Sequence, residues 1–187
     1  MCDLKVLNIE CLGCEYLIDD ESVLLKECEV KYNNNGSFNR LQITNESFDN
    51  IDFKSINKET LKNIKNQKGI SYKITETNNN VFIDKKTAYE FVYSKSSVLN
   101  NKQQKLIKSK LSKYLKQIIN NSTDKIYTTN KKEKHSKDAK YGFYRYKITF
   151  SILNKGVEDL YEAIVLIRNS EDTKKYLYDI LNIKKIN

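Results

Sequence analysis

Between Tyr144 and Ile152 apolar and polar side chains alternate, the period-two signature of a strand. Tyr144 and Tyr146 share one face, whereas Phe143 and Phe150 fall on opposite ones, so the alternation alone leaves the buried face open. Leu160 to Ile167 is the most apolar run and predicts a central strand; Asn154-Lys155-Gly156 turns before it and Asn169 to Lys174 after it. Tyr176 to Leu181 and Ile183 to Ile186 complete an antiparallel meander. Upstream the period changes. Ile107, Leu111, Tyr114, Leu115 and Ile118 recur at i, i+4 and i+7, predicting a core-facing helix from Asn100 or Asn101 to about Ile119. Its opposite face carries Lys102, Lys105, Lys113 and Lys116. Asp84 caps a shorter predicted helix to Tyr93, with Ala88, Phe91 and Val92 on one side.

Earlier segments read as smaller elements. Residues 3–10 and 23–32 are expected strands, and Asn33-Asn34-Asn35-Gly36 is a hairpin turn returning through Ser37 to Thr44. Residues 45–60 read as a polar, acidic linker. A short helix capped by Asn57 should then run toward Gly69, with short strands at 70–75 and 81–83. The expected architecture is α+β: two helices packed on a four-stranded antiparallel sheet, preceded by a small, mostly-β N-terminal region. The expected division is 1–60, acidic and cysteine-containing, and 61–187, basic.

Charge supports that division. Residues 1–60 hold 6 Lys+Arg and 12 Asp+Glu, a net of −6; residues 61–187 hold 27 and 12, a net of +15. Within the latter, residues 95–147 have 15 Lys+Arg against 3 Asp+Glu. A basic region of this kind attracts polyanions. The aromatic fraction of 11% and hydrophobic fraction of 39% suffice for a core. No apolar run approaches membrane-spanning length, and Met1-Cys2-Asp3-Leu4-Lys5 lacks a secretory start, so the expectation is a soluble cytoplasmic protein with no membrane partner.

Cys2, Cys11, Cys14 and Cys28 all lie in the acidic region. Cys11-Leu-Gly-Cys14 has zinc-knuckle spacing, and four thiolates close a tetrahedral structural site. Cys2 and Cys28 do not form a second knuckle, so packed free thiols and a redox Cys-x-x-Cys remain open alternatives.

The densest candidate chemistry runs from Lys131 to Tyr146. It contains the only histidine, His135, among Lys131, Lys132, Lys134 and Lys137, followed by Gly142 and an aromatic strand. Histidine titrates nearest neutrality and serves as general base or acid. Arg145 suits bidentate phosphate contact, Tyr146 and Tyr178 offer hydroxyls, and the four lysines suit a nucleic-acid backbone. No Gly-rich phosphate loop or carboxylate cluster of metal spacing is present, which disfavours nucleotide hydrolysis and metal-dependent cleavage.

Tyr127 to Ser136, followed by Tyr141-Gly-Phe-Tyr-Arg-Tyr146, resembles the barnase–EndoU–colicin–RelE-like nuclease superfamily, in particular its phage and polymorphic-toxin members. Tyr161-Glu-Ala-Ile-Val-Leu-Ile-Arg168 and Tyr176 to Ile186 are similar to the final strands of those domains, and Ser97-Val-Leu-Asn-Asn101 fits the approach to their helix. The resemblance covers about residues 70–187. It implies metal-independent RNA cleavage through the 2′-hydroxyl, with no catalytic cofactor, RNA as partner and an inhibitor or immunity protein as a second one. EndoU-like members use two histidines, and this chain has one. The alternative is a non-catalytic module that keeps the fold to bind nucleic acid or protein, such as a phage inhibitor of a host nucleic-acid machine.

Overall fold

The computed structural model describes residues 27–44, 52–93, 102–131 and 137–186. Its centre is a single mixed sheet of 8 strands curled into a half-barrel. The strands are β1 (Cys28–Tyr32), β2 (Phe38–Thr44), β3 (Ser71–Ile74), β4 (Asn79–Phe82), β5 (Thr123–Thr128), β6 (Phe143–Asn154), β7 (Val157–Asn169) and β8 (Lys175–Lys185). The helices are α1 (Phe53–Asn66), α2 (Lys85–Tyr93), α3 (Lys102–Leu111) and, beyond a 3-10 turn at Ser112–Tyr114, α4 (Leu115–Asn120).

The expected four-stranded antiparallel sheet with two helices is therefore incorrect. The long β6–β7–β8 meander exists, but two hairpins join its flanks. β2 pairs parallel to β6, with Leu41 opposite Phe150, and β4 pairs parallel to β8, with Phe82 opposite Tyr176. The sheet order is β1-β2-β6-β7-β8-β4-β3, and β5 pairs with β6 off that path. Both parallel contacts link segments far apart in sequence, which local hydropathy does not encode. The β1–β2 hairpin from the acidic region thus belongs to the common sheet, and α1 runs across position 60.

Local chemistry explains the elements. At the first hairpin, Asn33 and Gly36 amides bond within the turn at 2.8 and 2.9 Å, and Gly36 has a φ of 78°. The helix expected from Asn57 begins earlier, because the Asp52 carboxylate accepts from the Lys54 and Ser55 amides, both at 3.1 Å. Asp84 caps α2 through the Thr87 amide at 2.9 Å. The stripe Ile107, Leu111, Tyr114, Leu115 and Ile118 is buried and joins the core formed with Tyr146, Ile148, Phe150 and Ile152 of β6. Arg145, Lys147 and Thr149 are half-exposed on the other face of β6, so the face left open by the sequence is settled in favour of Tyr146.

That outer face is tied across strands by Glu158 of β7. It accepts from Arg40 at 2.9 and 3.3 Å and from Gln42 at 3.0 Å, both on β2. The Ser151 hydroxyl and the Arg40 guanidinium hold its carboxyl well below the usual range, at about 2. Because the folded-state value is depressed, the stabilisation is present above the unfolded glutamate value of about 4.3 and is lost as pH falls toward 2. Glu158→Gln should cost about 1 kcal/mol at neutral pH, a low value for a charged hydrogen bond because a third of the side chain stays in water. Urea midpoints at pH 7 and pH 3 test this: the difference between the two proteins should shrink at the lower pH.

Candidate nucleic-acid interface

β5 lies along one flank of β6, beyond the stretch that β2 covers. Ile126 faces Arg145, Tyr127 faces Tyr144 and Thr128 faces Phe143. The register shifts between Thr123 and Ile126, where Asp124 has a φ of 56° and its amide donates to the Glu76 carboxylate at 2.9 Å. Among the described residues no strand pairs with the other edge of β5. The result is a short, bulged strand whose middle is in solvent: Ile126 is 60% and Tyr127 51% exposed.

Tyrosines and cations are interleaved on this strand pair. The rings of Tyr127 and Tyr144 lie 5.4 Å apart at 51°. The Lys125 ammonium sits over the Tyr144 ring, 4.5 Å from its centroid. Arg145 donates to the Thr128 hydroxyl. Lys131 and Lys137, both exposed, lie on the connection from β5 to β6. Among the described residues, none of Lys125, Lys131, Lys137 and Arg145 forms an ion pair with a carboxylate. Neighbouring cations differ: Lys140 pairs with Glu171, Lys147 with Glu162 and Lys86 with Asp138.

Gly142, where the connection re-enters β6, is required by space as well as by its φ of 79°. A Cβ there would stand 2.5 Å from the Thr128 carbonyl oxygen and 3.0 Å from the Tyr127 hydroxyl. The tyrosine ring is thus seated against bare backbone.

The candidate residues do not converge. Arg145 is at the edge, but Tyr146 points to the opposite face and is 1% exposed, its hydroxyl bonded to Thr77 at 3.1 Å and Asn79 at 3.4 Å. Tyr178 is half-buried, with its ring against Phe143 at 5.6 Å. Burial and the nearby Glu90 carboxylate push its phenol well above the ordinary range, so it stays protonated. His135, Lys132 and Lys134 lie outside the described residues, as do Cys2, Cys11 and Cys14. Cys28 is in the core opposite Ile43, where burial pushes its thiol up to about 12; such a group packs as a small apolar side chain. Among the described residues no group of three His, Cys, Asp or Glu side chains is arranged to hold a metal, and no helix is long and apolar enough to cross a membrane.

The sequence reading passes over Lys125 and the strand it belongs to. β5 is solvent-facing along its middle and bulged, so it offers no alternation; the available signal was a cation and an aromatic two residues apart, just before the lysine-rich connection. No protein-family model, curated protein or solved structure matches this chain.

Proposed function

We propose that the protein binds single-stranded RNA along the edge formed by β5 and the start of β6. One observation carries this reading: the exposed ring of Tyr127, packed on the half-buried ring of Tyr144, lies beside cations that no described carboxylate neutralises. Bases stack on such a ring with little regard to sequence, and ammonium and guanidinium groups not paired to a carboxylate take the phosphates. Stacking alone does not separate RNA from DNA; the resemblance of residues 70–187 to ribonucleases favours RNA. The net of +12 over residues 95–147 supplies the long-range attraction.

Binding of a labelled single-stranded RNA to the full chain tests the reading. Tyr127→Ala should weaken affinity roughly 5- to 150-fold, the range for one lost base stack. Charge reversal at Lys131 and Lys137 should flatten the fall of log affinity with log salt by about 0.7 for each phosphate contact removed. Equal affinities for wild type and Tyr127→Ala would refute the edge as the binding surface. A DNA of the same sequence, bound equally well, would widen the ligand to any single strand.

Cleavage is the second reading, and connectivity favours it. The chain's only histidine, His135, belongs to the connection whose two ends, Thr128 and Phe143, pair at this edge. In metal-independent cleavage the 2′-hydroxyl attacks the adjacent phosphorus, a base removes its proton and an acid protonates the departing 5′-oxygen. Arg145 is the described cation on β6 suited to stabilise the crowded phosphorane. A folded protein that binds RNA without cutting it corresponds to the non-catalytic module.

A further inference from the structure

Arg168 ends the outer face of β7, in register with Phe143 of β6 and Tyr176 of β8. It is 4% exposed. Burying a guanidinium is costly, and an apolar side chain could fill the same space, so its contacts need a reason. One terminal nitrogen donates to the Asp84 carboxylate, the group that caps α2. The other donates to the main-chain carbonyl of Asp138 at 3.0 Å. The guanidinium lies over the Tyr176 ring, 4.5 Å from its centroid. The Asp138 carboxylate is meanwhile paired with Lys86, in the first turn of α2. Residue 138 is thus held twice, by backbone and by side chain, against one helix start.

Asp138 opens the turn that returns the connection to β6. Ala139 is buried, the Gly142 amide donates to the Ala139 carbonyl at 2.9 Å, and Tyr141 and Gly142 exchange hydrogen bonds with Asn169, the residue after Arg168, at 3.1 and 2.9 Å. Gly142 then lies directly against the Tyr127 ring. A continuous path of contacts runs from the guanidinium through Asp138 and Gly142 to Tyr127, with Lys137 one residue from its start.

Resting on the RNA-binding reading above, we propose that Arg168 is a positioning residue for the nucleic-acid edge: by fixing Asp138 it seats Tyr127, without touching RNA itself. A fork is needed for this, because one lysine ammonium cannot span both the Asp84 carboxylate and the Asp138 carbonyl with the same planar geometry. The unpartnered, buried Nε agrees with a group placed for its two terminal nitrogens.

Two measurements separate this inference from the reading on which it rests. The chain contains no tryptophan, so Tyr127→Trp introduces a single indole at the edge. Adding Arg168→Gln to that variant should raise acrylamide quenching of the indole and lower its anisotropy, because the turn beneath it loosens. Unchanged quenching in a folded protein would overturn the positioning role whatever RNA does. The second measurement is RNA affinity for wild type, Arg168→Gln, Tyr127→Ala and the double variant. Arg168→Gln should lose roughly fivefold or more, and the double variant should bind no more weakly than Tyr127→Ala alone, since both remove one seated ring. Losses that multiply would make Arg168 independent of Tyr127 and sink the inference. If Tyr127→Ala binds like wild type, the edge reading fails even where the quenching result stands. Should Arg168→Gln not fold, Lys86→Met, which cuts the half-exposed second arm of the clamp, takes its place with the same expected pattern and the same refuting outcomes.

Discussion

At neutral pH, Lys108→Met should lower unfolding stability by about 3–5 kcal/mol, the usual cost of leaving one member of a buried ion pair alone. Lys108 of α3 and Asp179 of β8 form that pair with side chains 1% and 2% exposed. The ammonium also lies 5.1 Å from the centre of the Phe91 ring, and the Asp179 carboxylate accepts from the Ile180 amide at 2.8 Å. Replacing both partners should restore most of the loss: Lys108→Met fills the space of the alkyl stem, and Asp179→Asn keeps an acceptor for the Ile180 amide. Urea unfolding of the two single variants and the double variant at pH 7 measures this. A Lys108→Met midpoint equal to wild type would mean that the pair contributes nothing.

The same pair sets a pH dependence opposite in sign to that of Glu158. Burial pushes the Asp179 carboxyl up to about 6 and holds the Lys108 ammonium below its ordinary value. An acid whose folded value is raised favours folding most when protonated. Its contribution is therefore full below the unfolded aspartate value of about 3.9 and is lost as pH rises through 6. Between those limits folding takes up a proton at Asp179, and Asp179→Asn should remove that part of the slope.

On the ribonuclease reading, His135→Ala should slow RNA cutting by roughly 10²–10⁴-fold, the size of a general acid–base contribution. The 2′-hydroxyl is the nucleophile, so activity should persist in EDTA, DNA should survive, and the products should end in a 2′,3′-cyclic phosphate or its hydrolysis product. Wild type and His135→Ala are compared on one RNA, with folding of both followed by circular dichroism. Equal cutting removes His135 from the mechanism. Absence of cutting by folded wild type leaves RNA binding without catalysis.

What the sequence made legible is what short-range periodicity encodes. The Asn33–Gly36 turn, the stripe from Ile107 to Ile118, the Asp84 cap and the alternation of β6 all appear at or near their predicted places. Where a signal was absent or distant, the reading failed. Asp52, five residues before the expected cap, took that role because its carboxylate reaches two amides at once. β5 has no buried face to reveal it. The pairing of Leu41 with Phe150 depends on the whole sheet, so the number of strands and their mixed direction were invisible locally. Of the residues whose chemistry suits phosphate or proton transfer, Arg145 lies half-exposed on β6 beside Thr128. Tyr146 was chosen for its hydroxyl, and only the packed structure places that hydroxyl against Thr77 and Asn79.

The parallel seam between β2 and β6 also orders events in time. During synthesis β2 emerges long before β6, and one flank of β2 has no strand to join until Phe150 and its neighbours arrive. The first hairpin must therefore persist as an open-edged intermediate, or form late, and such edges recruit other chains. A released chain truncated before residue 143 should be markedly stickier than one that retains β6 through residue 154.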